Sequence, residues 1–176
     1  MALDETSAKL KGSLYGTFYH DLKKFYDSLD LSILIRRAMQ LNYPAVNLYM
    51  TTLIYLAPRV VRACHDYSLP ICPWNGIVAG CGSANHAARA MLYVVLEITH
   101  NASPLAITRK FVGDLHTRVE GLPEEFQEQL PVAVDTLVQA CLDSKLVVSG
   151  KSALLTNCEK TKKHIIKQLK MKRSQH

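Results

Sequence analysis

The chain has 176 residues, 48% of them apolar and 20% charged, with a formal net charge of +6. This composition excludes a disordered chain, and the length suits one domain with its own core. The charge is not spread evenly: residues 1–158 carry 14 basic and 14 acidic side chains, whereas residues 159–176 carry seven basic residues and one acid, Glu159. That excludes a uniformly basic body of the ribosomal or histone type, and it leaves a local basic tail that can serve nucleic acid or an acidic partner.

No apolar run approaches the ~20 residues of a membrane span. Asn47, Thr51 and Thr52 interrupt one stretch and Glu97 another. Met1-Ala2-Leu3-Asp4-Glu5 is acidic and polar, so no secretory signal and no membrane partner are expected. Five cysteines, an odd number without a C-x-x-C pair, suit a reduced intracellular protein.

In chain order, Leu14–His20 is aromatic and β-branched and predicts a strand. Leu31, Leu34, Ile35, Ala38 and Leu41 have helical spacing. Pro44 and Pro58 bracket a second, mostly apolar helix. Pro70, Pro73, Gly76, Gly80 and Gly82 surround Trp74 in an ordered loop, after which Ser83 is placed to cap a helix reaching about His100. Two alternating runs, Ile107–Val112 and Leu115–Val119, flank Gly113-Asp114 and predict a hairpin. Pro123-Glu124-Glu125 opens another helix, with a break or kink expected at Pro131. Leu146–Val148 and Ala153–Leu155 are strand material around Gly150, and a lysine-rich helix with Ile165, Ile166 and Leu169 apolar closes the chain. The order is β-α-β-β-α-β, which predicts an α+β fold: an antiparallel sheet with helices packed on one face. Residues 1–158 form the expected domain and 159–176 a basic helix.

In that layout strand one and the hairpin are neighbours. Asp21, at the end of the first strand, and Asp114, at the hairpin tip, can therefore meet although 93 positions separate them. Two carboxylates suit a hard divalent cation, which takes oxygen ligands and shares them with substrate phosphates. Each Asp can equally serve to tighten a turn.

These residues carry a resemblance. Asp21-Leu22-Lys23-Lys24-Phe25-Tyr26-Asp27 resembles the first palm motif of reverse transcriptases from retroelements and group II introns. Gly76-Ile77-Val78-Ala79-Gly80-Cys81 resembles the next motif, Phe111-Val112-Gly113-Asp114 the aromatic-x-Asp-Asp hairpin, and Leu146–Ser152 the following one, which ends in a Lys. The resemblance spans about Leu14 to Leu155. It implies a polymerase palm-like fold and RNA-templated DNA synthesis on a primer–template with a deoxynucleoside triphosphate. Asp21 and Asp114 would hold Mg²⁺, with Mn²⁺ as a substitute, and the Asp21 backbone would meet the nucleotide. Tyr26 would lie under the sugar, Gly76 and Gly80 would let backbone approach nucleotide and template, and Lys151 would sit by the triphosphate. Tyr26 can also be an ordinary buried aromatic, and Lys151 a solvated loop residue.

Three departures point to impaired activity. Gly113 stands where the family has the essential first Asp of the hairpin. Ala79 and Gly82 replace the usual Gln and Pro of the loop motif. The basic fingers and the thumb are absent from the pattern, so the chain reads as a palm without its neighbours, able to self-associate where they would dock. The alternative is a non-catalytic nucleic-acid-binding or assembly module. In the tail, Lys160, Lys163, Lys167 and Lys170 either face water on a docked helix or meet phosphates. Zinc chemistry lacks its usual spacing at Cys64 and Cys72.

Overall fold

A computed structural model describes residues 13–111 and 114–173. Strand β1 (Leu14–His20) is followed by a single-turn helix α1 (Phe25–Ser28), then α2 (Leu31–Gln40) and α3 (Ala45–Leu56). A small ribbon of β2 (Arg62–Ala63) and β3 (Asp66–Tyr67) leads to α4 (Ala84–Ala102). The hairpin strands β4 (Ile107–Phe111) and β5 (Asp114–Gly121), helix α5 (Pro123–Asp143), strand β6 (Ala153–Thr156) and helix α6 (Glu159–Arg173) complete the chain.

The sheet is four-stranded, in the order β4-β5-β1-β6, and every neighbouring pair is antiparallel. The fold is therefore α+β. Strand one lies between the hairpin and the last strand, as a split β-α-β-β-α-β order requires. Period-two alternation then gives the sheet a dry face and an open one. Gly16, Phe18 and His20 of β1, Leu115, Thr117 and Val119 of β5, and Leu154 of β6 are buried under the helices. A Cβ on Gly16 would lie 2.6 Å from Leu130 Cδ2 and 3.0 Å from the Phe126 ring, so the missing side chain is what lets α5 lie this close to β1.

Two apolar clusters result. Phe18, Val119, Phe126, Leu130, Val134, Leu154 and Ile165 join the sheet to α5 and α6. The larger cluster, around Leu29, Leu34, Met91, Leu92, Val95, Leu115 and Leu137, holds α2 and α4 beside the end of β1. Arg37 ties these elements by donating to the Met91 carbonyl and, at 2.7 Å, to Ser144 Oγ. Helix α2 begins at Asp30, whose carboxylate accepts from Ser32 N (2.9 Å) and Ile33 N (3.1 Å) and pairs with Lys145 Nζ at 2.7 Å.

Several expectations are corrected. Helix α5 is assigned as one unbroken helix through Pro131, because Phe126 and Leu130 before it and Val134 and Leu137 after it are all anchored in the core. Ser83 stands at the α4 N-cap with helical dihedrals and makes no side-chain cap bond. Leu146–Val148 contributes only an isolated bridge, Leu22 to Val148, rather than a strand. In α6, Ile165 is buried while Ile166 stays exposed; the side chains of Leu169 and Lys170 lie outside the described residues. No helix among the described residues is long and apolar enough to cross a membrane.

Candidate active site at the open edge of the sheet

The ladder between β1 and β5 runs in one register from Leu14 opposite Gly121 to His20 opposite Leu115. Carried one residue further, it sets Asp21 opposite Asp114. Directly opposed residues share a face and have Cα atoms about 4.5–5.5 Å apart. His20 and Leu115, the last pair of the ladder, point into the core, and strand alternation continued past them would turn the next residue of each strand, Asp21 and Asp114, toward the open face. Asp114 is exposed and Asp21 half-buried. Gly113 lies outside the described residues.

The other flank of Asp21 is shaped by β6. Its ladder with β1 ends at Tyr19 opposite Ala153 and resumes at Leu22 opposite Val148. Four residues, Ser149 to Ser152, thus face only His20 and Asp21 and bulge outward. Ser149 N donates to the Asp21 carbonyl at 2.6 Å, and Asp21 N donates to Ser152 Oγ at 3.2 Å. Ser152 Oγ in turn donates to the Ser149 carbonyl at 2.9 Å. Exposed Lys151 rides on this bulge, its amide bonded to Ser149 Oγ at 3.2 Å. The topology therefore brings Asp21, Asp114 and Lys151 to one end of the sheet, with Asp21 in the middle. Both backbone groups of Asp21 are bonded within the protein, its N–H to Ser152 Oγ and its carbonyl to Ser149 N.

Tyr26 and the glycine loop meet behind this edge. Tyr26, half-buried, packs edge-on to Phe25 with centroids 5.2 Å apart, and its carbonyl accepts from Ile77 N at 2.8 Å. Gly76 has φ +86°, donates to the Leu29 carbonyl at 2.8 Å, and would place a Cβ 2.9 Å from Asp27 O and 3.0 Å from Tyr26 O. The close backbone approach that requires glycine at this position is to α1. Gly80, at φ +84°, has open space where a Cβ would stand, so its need for glycine is conformational. Cys81 Sγ lies 3.1 Å from the Tyr55 hydroxyl, which burial, followed by that contact, pushes above the usual tyrosine range.

A second group of residues escaped the sequence reading. On the open face, Thr17 and Tyr19 of β1, Ile107 and Arg109 of β4, and His116, Arg118 and Glu120 of β5 line a pocket. The Tyr19 and His116 rings are 6.2 Å apart, and Arg118 pairs with Glu120 at 2.8 Å. Partial burial, and then the positive charge of Arg109, hold His116 below the ordinary histidine range and favour its neutral ring. The signal was present: Tyr15, Thr17, Tyr19 and Asp21 share one parity of β1. On α6, Lys160, Lys163 and Lys167 are exposed, while Lys162 pairs with Glu159 at 3.3 Å.

Among the described residues no group of three or more His, Cys, Asp or Glu is gathered. What the edge offers a cation is two carboxylates. That set fits Mg²⁺, which keeps several waters and shares phosphate oxygens, better than it fits an all-protein cage. Compared with protein-family models and with curated proteins, the chain matches none.

Proposed function

We propose that this is a palm-like domain of reverse-transcriptase descent whose inherited reaction, RNA-templated DNA synthesis, is impaired. The observation that supports the reading is the β1–β5 register, which ends at His20 opposite Leu115 and so leaves Asp21 and Asp114 as the next residues of the two neighbouring strands in a β4-β5-β1-β6 sheet. The order of the four motifs along the chain supports it.

In the inherited reaction a primer 3′-hydroxyl attacks the α-phosphorus of a deoxynucleoside triphosphate, and pyrophosphate leaves. Asp21 and Asp114 would hold Mg²⁺, or Mn²⁺ in its place, which supplies activation of the hydroxyl and neutralises charge on the leaving group. The Ser149 and Ser152 bonds hold the Asp21 backbone in place, which limits where its carboxylate can reach. Lys151, on the neighbouring bulge, would meet triphosphate oxygens. Tyr26, on the short helix α1 that follows Asp21, would floor the sugar. Gly113 removes one carboxylate from this set, which costs charge neutralisation and positioning together, and activity should fall by several orders of magnitude. Primer extension on an RNA template with Mg²⁺ or Mn²⁺ tests this: the expected result is trace incorporation. Robust incorporation that disappears in Asp21→Ala would overturn the impairment while upholding the palm.

A second reading, a non-catalytic nucleic-acid-binding module, draws on the open face. An aromatic pair, Tyr19 and His116, flanked by Arg109 offers stacking and charge to single-stranded nucleic acid. It predicts binding that weakens steeply with salt and falls in Tyr19→Ala. Salt-independent binding would count against it.

A further inference from the structure

Helix α3 is packed inside out. Its core-facing positions are Thr51 and Tyr55, with Leu48 and Thr52 half-buried beside them. The opposite face carries Val46, Tyr49, Met50, Leu53 and Ile54, between 47% and 74% exposed. Those five fall at i, i+3, i+4, i+7 and i+8, the stripe an amphipathic helix normally buries. The polar threonines point inward and the aliphatics outward, so the outward stripe has the pattern of a contact surface.

We propose that this stripe pairs with the same stripe of a second copy of the chain, as two antiparallel α3 helices about a two-fold axis. Three observations select that occupant. First, α3 contains no charged residue at all, so the stripe offers nothing to phosphates or to a charged peptide. A basic amphipathic helix lying on a lipid surface would need Lys or Arg opposite the stripe, where Thr51 and Tyr55 are instead buried in the protein. Second, the spacing is its own complement. Val46, Tyr49, Met50 and Leu53 are symmetric about the point between Tyr49 and Met50, one residue short of the helix centre, so an antiparallel copy crossing there sets Val46 against the partner's Leu53 and Tyr49 against the partner's Met50. A two-fold interface requires that self-matching. Third, the area is right for reversible pairing. At on the order of 100 Å² each, five such side chains expose about 500 Å², a large part of the ~800 Å² per partner in a standard interface. Exposed Met39 extends the patch. Grooves on both sides of α3, one against Ser83 and His86 and one against Ile35 and Met39, give a facing helix places to set its ridges.

The inference uses no residue of the Asp21 edge and stands or falls apart from the palm reading. The test is sedimentation equilibrium of the full chain across the micromolar range, alone and as Val46→Glu, Leu53→Lys and an equimolar mixture of the two. The wild type should be a concentration-dependent dimer. Each single variant should weaken dimerisation at least about tenfold, since each buries an unpaired charge against an apolar side chain. The mixture should recover a heterodimer, because Glu from one variant then opposes Lys from the other. That recovery also answers misfolding, as does an unchanged thermal transition at these exposed positions. A wild type that stays monomeric, a dimer indifferent to both variants, or a mixture without recovery would each overturn the proposal.

Discussion

Replacing Gly76 by Ala separates two explanations for that glycine, ligand approach and internal packing. The first cost is conformational: at φ +86° a residue with a Cβ is disfavoured by roughly 1–2 kcal/mol. The second is contact. The new Cβ would stand 2.9 Å from Asp27 O and 3.0 Å from Tyr26 O, backbone atoms of a short helix that cannot swing aside as a flexible side chain would. Relief requires the loop to retreat, stretching the bonds from Gly76 N to Leu29 O and from Ile77 N to Tyr26 O, both 2.8 Å. At about 1 kcal/mol per weakened bond, the sum is roughly 3–4 kcal/mol, or about 6–16 °C in melting temperature for a domain of this size. Gly80→Ala is the internal control, with a similar φ of +84° and no atom within 4 Å of the new Cβ. It should cost only the first ~1–2 kcal/mol. Urea unfolding of both variants, without any nucleic acid, reads the difference. Equal destabilisation would refute the packing argument and return Gly76 to a ligand role.

Burial, helped by the neighbouring His116, lowers the pKa of His20 to about 3, so the unfolded chain binds a proton that the folded chain refuses. Stability should therefore be whole above the unfolded histidine value of ~6.5 and fall with acidification by at most about 1.4 kcal/mol per pH unit down to about 3. Urea midpoints against pH should show that slope and lose it in His20→Phe; a slope unchanged in the variant would contradict it. Asp30→Ala removes an N-cap that accepts two amides and should cost about 1 kcal/mol at neutral pH, the exposed Lys145 partner adding little; an unchanged urea midpoint would show that the cap contributes nothing. Thiol labelling of the native protein should modify Cys64 and Cys72 at once and leave Cys141, buried and pushed up to about 12, until unfolding. Rapid labelling of Cys141 would contradict the packing of α5.

Much of the fold was legible because alternation is a strong local signal. Strand β1 has the ends that Leu14–His20 suggested, and β4 and β5 pair antiparallel as the two alternating runs suggested. The placement of β1 beside β5 followed from strand order, a topological constraint that a single sequence can suggest. The bulge at Ser149–Ser152 was not legible, because its meaning depends on counting residues against β1, more than 120 positions away. Helix α3 was legible as a helix between Pro44 and Pro58, but its two faces compete: one-dimensional periodicity finds an apolar stripe and cannot say whether the core or the exterior receives it. Pro131 misled for the opposite reason, since burial on both sides outweighed a local preference to break.

The central claim is that Asp21 and Asp114 share one cation. Titration of Mn²⁺ into the full chain, followed by loss of the free-ion paramagnetic resonance signal, tests it without demanding turnover. One weak site is expected. It should weaken at least about tenfold in Asp21→Asn and in Asp114→Asn alike and tighten in Gly113→Asp, which restores the missing carboxylate. Affinity unchanged in the Asp21→Asn, Asp114→Asn double variant would contradict the account.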